Sequence, residues 1–251
     1  MLKYKIIRVM LRVLTFPVRI YESGVAPIHI PEKFLVFQSL PPEDLLEALI
    51  KAYQKVFSEP PWGEDWTENE VLAKLKRELA GDNSFLVLMC GNEKFPVVGF
   101  SWGSMIPVKT LEKRVEGALT EKPVGLEELL QERVVGEQIV YFDEFAILRQ
   151  FRTGLEPIRF LLRPGLELGW TCGVHQTMFW STPRSNIVPL ASYMGYEPIF
   201  RIEEGKKKII FLYNQNFLPL LKVAQHLRGR QIVRIMQIAS RILGKRKRTR
   251  R

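Results

Sequence analysis

The sequence predicts an α/β (α+β) fold, a mixed central sheet flanked by helices. Three observations carry this. Short apolar runs alternate with segments of 3.6-residue periodicity, in the order β, α, α, β, β, β, α, β, α, β, β, between about residues 33 and 213. The composition, 46% hydrophobic and 25% charged, excludes a mainly disordered, collagen-like or coiled-coil chain. At 251 residues the chain is long enough for a core that needs no disulfide or metal.

Taken in order, Phe34 to Gln38 is the first apolar strand. Leu40-Pro41-Pro42-Glu43-Asp44 starts a helix, with prolines at or before the first turn and acids near its positive end. Leu45, Leu46, Leu49, Ile50, Tyr53 and Phe57 keep helical spacing until the loop Glu59-Pro60-Pro61-Trp62-Gly63. Thr67 and Glu70 form a capping box for a second helix through about Leu79. Phe85 to Cys90 and Pro96 to Met105 read as a hairpin across Gly91-Asn92-Glu93-Lys94. Residues 106 to 137 are a charged insertion with weak helical patterns near 110 to 118 and 126 to 133. It reads as either a flap over an acceptor groove or a surface loop.

Gln138 to Leu148 is a central strand interrupted by Asp143 and Glu144, which alternation places on opposite faces. Arg149 to Gly154 then turns into a helix carrying Ile158, Leu161, Leu162 and Leu166. Thr177 to Ser181 is a further strand, and Ile187 to Met194 a short helix closed by Gly195. Glu197 to Ile202 and Lys208 to Tyr213 pair across Glu203-Glu204-Gly205.

The net charge of +10 is unevenly placed. Residues 1 to 20 hold five basic residues and no acid; residues 216 to 251 hold eleven and no acid; the middle keeps 21 against all 27 acids, a net of −6. Both ends have helical periodicity. Leu2, Ile6, Val9, Met10, Val13 and Leu14 oppose Lys5, Arg8, Arg12 and Arg19, and Ile232, Ile235, Met236, Ala239, Ile242 and Leu243 oppose Arg230, Arg234 and Arg241. The expected organisation is a basic amphipathic extension over 1 to 32, a body over 33 to 215, and a basic helical tail over 216 to 251. Each basic helix either docks on the body or meets an anionic membrane surface. The run Lys245 to Arg251 also suits nucleic acid. Neither end offers the roughly 20 uninterrupted apolar residues that spanning a bilayer needs. Cys90 and Cys172 lie far apart, which excludes a disulfide scaffold and fits a reducing, cytoplasmic setting, peripheral on a membrane if the helices engage one.

Three stretches in this order resemble the GCN5-related N-acetyltransferase (GNAT) family across about residues 33 to 213. Phe57 to Trp62 with Trp66 to Glu70 is similar to a loop and second helix of many members. Asp143 to Ile147 through Phe151-Arg152-Thr153-Gly154 resembles the fourth strand and coenzyme A pyrophosphate loop. Ala191 to Pro198 resembles the late helix, glycine and strand. The resemblance implies acetyl-CoA as co-substrate and direct transfer of an acetyl group to an amine in a ternary complex. It implies a cofactor site at Ile147, Leu148, Arg149, Arg152, Thr153, Gly154 and Leu155. Asn186 either contacts the pantetheine arm or caps the helix.

Against the family loop, Leu155 and Pro157 stand where small residues are expected, Pro157 removes a donor and Glu156 adds a like charge, with Arg149, Arg152 and Arg159 as compensating cations. Glu144, where the family often carries a carboxylate, is the candidate general base; the competing reading is a carboxylate satisfied by Arg149 or a backbone amide. The family's tyrosine general acid falls on Ala191, and Tyr193 and Tyr196 read as packing residues. Trp62 and Trp66 are core residues or line the acceptor site. His29, His175 and His226 are isolated, with no metal spacing, and phosphate-loop and Gly-x-Ser-x-Gly motifs are absent. The leading expectation is an N-acetyltransferase whose amine acceptor is unidentified. The alternative is a catalytically silent module of the same fold that binds an anionic membrane or nucleic acid.

Overall fold

A computed structural model describes residues 14–15, 33–116, 126–152, 156–183, 185, 187–204 and 207–218. Its strands are Leu14–Thr15 (β1), Lys33–Phe37 (β2), Ser84–Asn92 (β3), Phe95–Pro107 (β4), Gln138–Ile147 (β5), Thr177–Ser181 (β6), Glu197–Glu204 (β7) and Lys207–Asn214 (β8). They form one sheet in the order β1-β2-β3-β4-β5-β6-β8-β7. Every neighbouring pair is antiparallel except β5 and β6, which run parallel.

The helices Glu43–Ser58 (α1) and Glu68–Glu78 (α2) cover one face. Tyr53 of α1 stacks on Phe100 and Trp102 of β4, at 5.8 and 5.6 Å between ring centres. The long helix Glu156–Thr171 (α5) covers the other, where the buried Ser101 hydroxyl donates to the Leu161 carbonyl at 2.6 Å. Alternation along β4 therefore sends Phe100 and Trp102 toward α1 and Ser101 toward α5.

Local chemistry accounts for the boundaries. Thr67 caps α2 reciprocally: its hydroxyl accepts from Glu70 N at 3.3 Å and its own N–H donates to the Glu70 carboxylate at 2.8 Å. The short helix Ile187–Tyr193 (α6) ends at Gly195, whose φ of +83° is open to glycine at little cost, and Tyr196 N closes back on the Ala191 carbonyl at 3.0 Å.

The insertion contains the two short helices its pattern predicts, Leu111–Glu116 (α3) and Leu126–Arg133 (α4). It is more than a surface loop. Leu111, Leu130 and Val134 are buried against Tyr141, Met178 and Phe211 in a second apolar cluster on the sheet. That burial supplies the apolar contact without which such short helices are unstable.

Leu14 departs from expectation. Rather than lying on a helix stripe, it pairs with Phe34 in β1, so that backbone groups at the sheet edge are met by another strand. The remainder of the predicted N-terminal helix lies outside the described residues, as does the C-terminal one beyond Leu218. Phe217, at the start of the predicted tail, is fully buried and its N–H donates to the His175 carbonyl at 2.8 Å. No helix among the described residues is long and apolar enough to cross a membrane.

Candidate active site

The site arises where β5 leaves its neighbour. β5 and β6 pair through Val140, Tyr141 and Phe142 with Thr177, Met178 and Phe179, and beyond Phe142 the two strands part. The β5 residues after that point have no strand partner on this side, which leaves a cleft between parallel strands.

A bulge on the opposite edge decides what faces the cleft. Trp102 of β4 stands opposite Glu144 and Gly103 opposite Phe142, so Asp143 is an extra residue. A Cβ at position 103 would meet the Tyr141 carbonyl and come within 2.9 Å of Phe142 Cα, so the close approach needs glycine. The extra residue shifts the alternation by one. Phe142 turns to the α5 side and packs edge-on against Phe85 at 5.1 Å, while Asp143 and Glu144 both face α1, α2 and α3. Simple alternation had put the two acids on opposite faces; the bulge sets them side by side.

Both carboxylates are held in a buried ion network. Glu144 Oε1 accepts from the Tyr53 hydroxyl at 3.2 Å and lies 3.1 Å from Lys74 Nζ. Lys74 also pairs with Glu78, one helical turn on, at 3.1 Å, and the second oxygen of Glu78 accepts from Trp102 Nε1 at 2.6 Å. Arg77, largely in solvent, reaches Glu78 at 3.2 Å. Arg114 of α3 grips Asp143 with two parallel bonds of 2.9 and 2.8 Å. The competing sequence reading had Glu144 satisfied by Arg149 or a backbone amide; Arg149 is exposed, and the carboxylate is instead satisfied by Lys74 and Tyr53.

Burial, foremost, pushes the Glu144 carboxyl up to about 7; Lys74 opposes the shift, and Glu78 and Asp143 reinforce it. Burial and then Glu78 raise Asp143 to about 7 as well, against the pull of Arg114. For Lys74, burial disfavours the charge, but Glu144 and Glu78 outweigh it and hold the ammonium above its ordinary value. Burial, followed by the charge of Glu144, raises the Tyr53 phenol, which stays a proton donor near neutrality.

The cleft encloses about 520 Å³ and is lined from both faces of the sheet. On the α1 side lie Phe57, Pro61, Trp62 and Trp180 with the two acids; on the α5 side lie Ile147, Arg152, Ile158, Leu162, Ser181 and Ile187. Trp62 and Trp180 meet edge to face at 5.9 Å, joining the α1–α2 loop to β6. Trp66 is absent from the lining; it packs on Tyr53 at 5.6 Å and donates to Glu64 at 2.9 Å.

The sequence-predicted site residues separate as follows. Glu144, Ile147 and Arg152 come together in the cleft. Arg152 Nε donates to the Ile147 carbonyl at 2.8 Å. Leu148 is a core residue whose N–H donates to the Val98 carbonyl at 2.8 Å, and Arg149 is not among the lining residues. Thr153, Gly154, Leu155 and Asn186 lie outside the described residues. Tyr196 is buried against Phe179 at 5.0 Å, in keeping with a packing role, and Ala191 is fully buried. Among the described residues no group of three or more His, Cys, Asp and Glu is placed to hold a metal ion.

The parting parallel strands, the order of the elements and the helices covering both faces of the sheet together define the architecture. The fold is GNAT-like. No family model and no curated protein sequence matches the chain. Among solved structures it is similar to Arabidopsis thaliana NAA60 in complex with acetyl-CoA, at 13% identity and a TM-score of 0.48 over 72% of this chain and 99% of that one. It is also similar to TofI in a ternary complex with an inhibitor and MTA, at 13% identity and 0.49 over 78% and 98%. A GNAT-family acetyltransferase from Streptococcus pneumoniae matches at 14% identity and 0.42 over 72% and 98%. At these identities and TM-scores the likenesses carry no argument about what the cleft does, which follows from its residues.

Proposed function

We propose that the chain is an acyl-CoA-dependent N-acyltransferase that moves an acetyl group directly to an amine in a ternary complex. The observation that carries this reading is the cleft between β5 and β6, with Glu144 on its α1 side and an apolar wall ending in Arg152 on its α5 side. The two sides suit two reactants meeting in the gap of the sheet. On the α5 side, Ile147 and Ile158 suit the apolar parts of an acyl-pantetheine arm and Arg152 its phosphates. Acetyl-CoA would supply the activated acyl carbon as a thioester.

The amine must lose a proton to expose its lone pair. Glu144, with its carboxyl near 7, is matched to take that proton close to neutral pH. The amine nitrogen then bonds to the acyl carbon, the carbon–sulfur bond breaks, and the second proton lost by the nitrogen passes through water to the departing thiolate, leaving the amide and the free thiol. Lys74 and Tyr53 fix the orientation of the Glu144 carboxylate while doing so. Calorimetric titration of the full chain with acetyl-CoA and with CoA tests the reading; well-folded protein that binds neither would refute it. If binding is present, Glu144→Gln should lower kcat by about 10²–10⁴-fold with little change in acetyl-CoA affinity.

A second reading is favoured by specific features: Glu144 is already engaged by Lys74 and Tyr53, and Ala191 offers no acid. On it the fold is a catalytically silent module whose basic ends bind an anionic membrane surface, or nucleic acid through Lys245 to Arg251. Turnover of acetyl-CoA with any amine excludes silence. Flotation of the full chain with anionic but not neutral vesicles supports the membrane arm, and steeply salt-dependent binding to RNA or DNA the other.

A further inference from the structure

The α1 side of the cleft is unlike a site for a hydrophilic acceptor. Its walls are Phe57, Trp62 and Trp180, with Phe57 and Trp62 at 5.4 Å and Trp62 and Trp180 at 5.9 Å between ring centres. Its floor is Asp143 and Glu144. With Glu78 behind them, these make three buried carboxylates facing two largely buried cations, Lys74 and Arg114. The fully ionised cluster is one positive charge short of its buried complement, Arg77 lying mostly in solvent. An acceptor rich in hydroxyls, or with several ammonium groups, would leave polar groups without partners among these rings, at a cost of about 1–3 kcal/mol each. A single ammonium on an apolar body avoids that cost. Its head meets the acids, its body the rings, and the aromatic faces themselves attract a cation. A cleft of about 520 Å³ holds such a molecule beside a slender acyl arm.

We propose that the acceptor site between Trp62, Trp180 and the Asp143–Glu144 pair binds a primary ammonium carried on an aryl or alkyl body. The proposal rests on the acyltransferase reading for the fate of the amine, but binding itself is tested apart from turnover. The full chain is titrated calorimetrically with phenethylamine, with its neutral counterpart 2-phenylethanol, and with spermidine, each with and without saturating CoA.

Phenethylamine should bind at least about tenfold more tightly than the other two in one or both arms. Trp62→Ala should weaken it by about tenfold or more in protein that remains folded; Trp62 is half-buried on a loop, so losing its ring contacts with Phe57 and Trp180 lowers the melting temperature without unfolding the chain at the titration temperature. Trp180→Leu, on a strand, serves as the second variant. Equal binding of spermidine or 2-phenylethanol overturns the proposal, as does Trp62→Ala and Trp180→Leu protein with unaltered affinity, or no phenethylamine binding in either arm. Absence of CoA binding would instead remove the acyltransferase reading and leave the amine result to stand. Acetyl transfer to spermidine but never to phenethylamine would keep that reading and overturn the acceptor class.

Discussion

Replacing Glu144 by glutamine should make the protein's stability less sensitive to pH, in a direction the structure dictates. The carboxyl of Glu144 moves from an ordinary 4.5 to about 7 on folding, because burial penalises its charge more than Lys74 rewards it. A carboxyl raised in this way takes up a proton on folding between those two values. Its contribution is complete below pH 4.5 and is lost as pH rises through 7. The shift corresponds to about 3 kcal/mol at most, and Asp143, which titrates in the same range, shares it, so about 1–3 kcal/mol is expected. Glu144→Gln keeps a carbonyl oxygen for Tyr53 and Lys74 but cannot titrate. The stability of Glu144→Gln relative to the parent should therefore become more favourable between pH 5 and pH 8 by that amount. Urea denaturation followed by circular dichroism at both pH values measures it. A difference that stays flat, or moves the other way, would show that Glu144 is not buried among acids as described.

Thr67→Ala removes the reciprocal cap of α2 and should cost about 1 kcal/mol in the same denaturation assay. Gly103→Ala places a methyl against the Tyr141 carbonyl at the bulge and should cost about 2 kcal/mol or more, with any acetyl-CoA turnover falling further than stability alone explains. Arg114→Leu leaves Asp143 buried without its cation. The expected loss is about 3–5 kcal/mol at pH 8, and clearly less at pH 5, where Asp143 can be neutralised by a proton.

Much of the fold was legible because its signals are local. The capping box at Thr67, the turn between β3 and β4, the stop at Gly195 and the apolar run of β6 each depend on a few adjacent residues, and each lies where periodicity puts it. The cleft was legible only in part. Glu144 stood out as an acid within an apolar strand, but its neighbours did not: Tyr53 is 91 residues away and Trp102 is 24 from Glu78, distances at which a single sequence carries no pattern. Lys74 and Glu78 had a weak local signal, the i to i+4 spacing, which is common on solvated helices. The facing of Asp143 failed for a sharper reason: period-two alternation assumes an unbroken ladder, and one inserted residue reverses it. Leu14 belonged to a convincing helical stripe, yet the open edge of β2 offered it a ladder instead.

The insertion over 106 to 137 has a consequence for evolution as well as for structure. By supplying Arg114 through α3, it lends the cleft a counterion that belongs to none of the strands or helices of the surrounding sheet. Relatives with a shorter connection between β4 and β5 would lack that loan, and a buried acid at the position of Asp143 would then have to be neutral, replaced, or open to water. Presence of the insertion and acidity at the bulge should therefore be gained and lost together, like two halves of one inherited character.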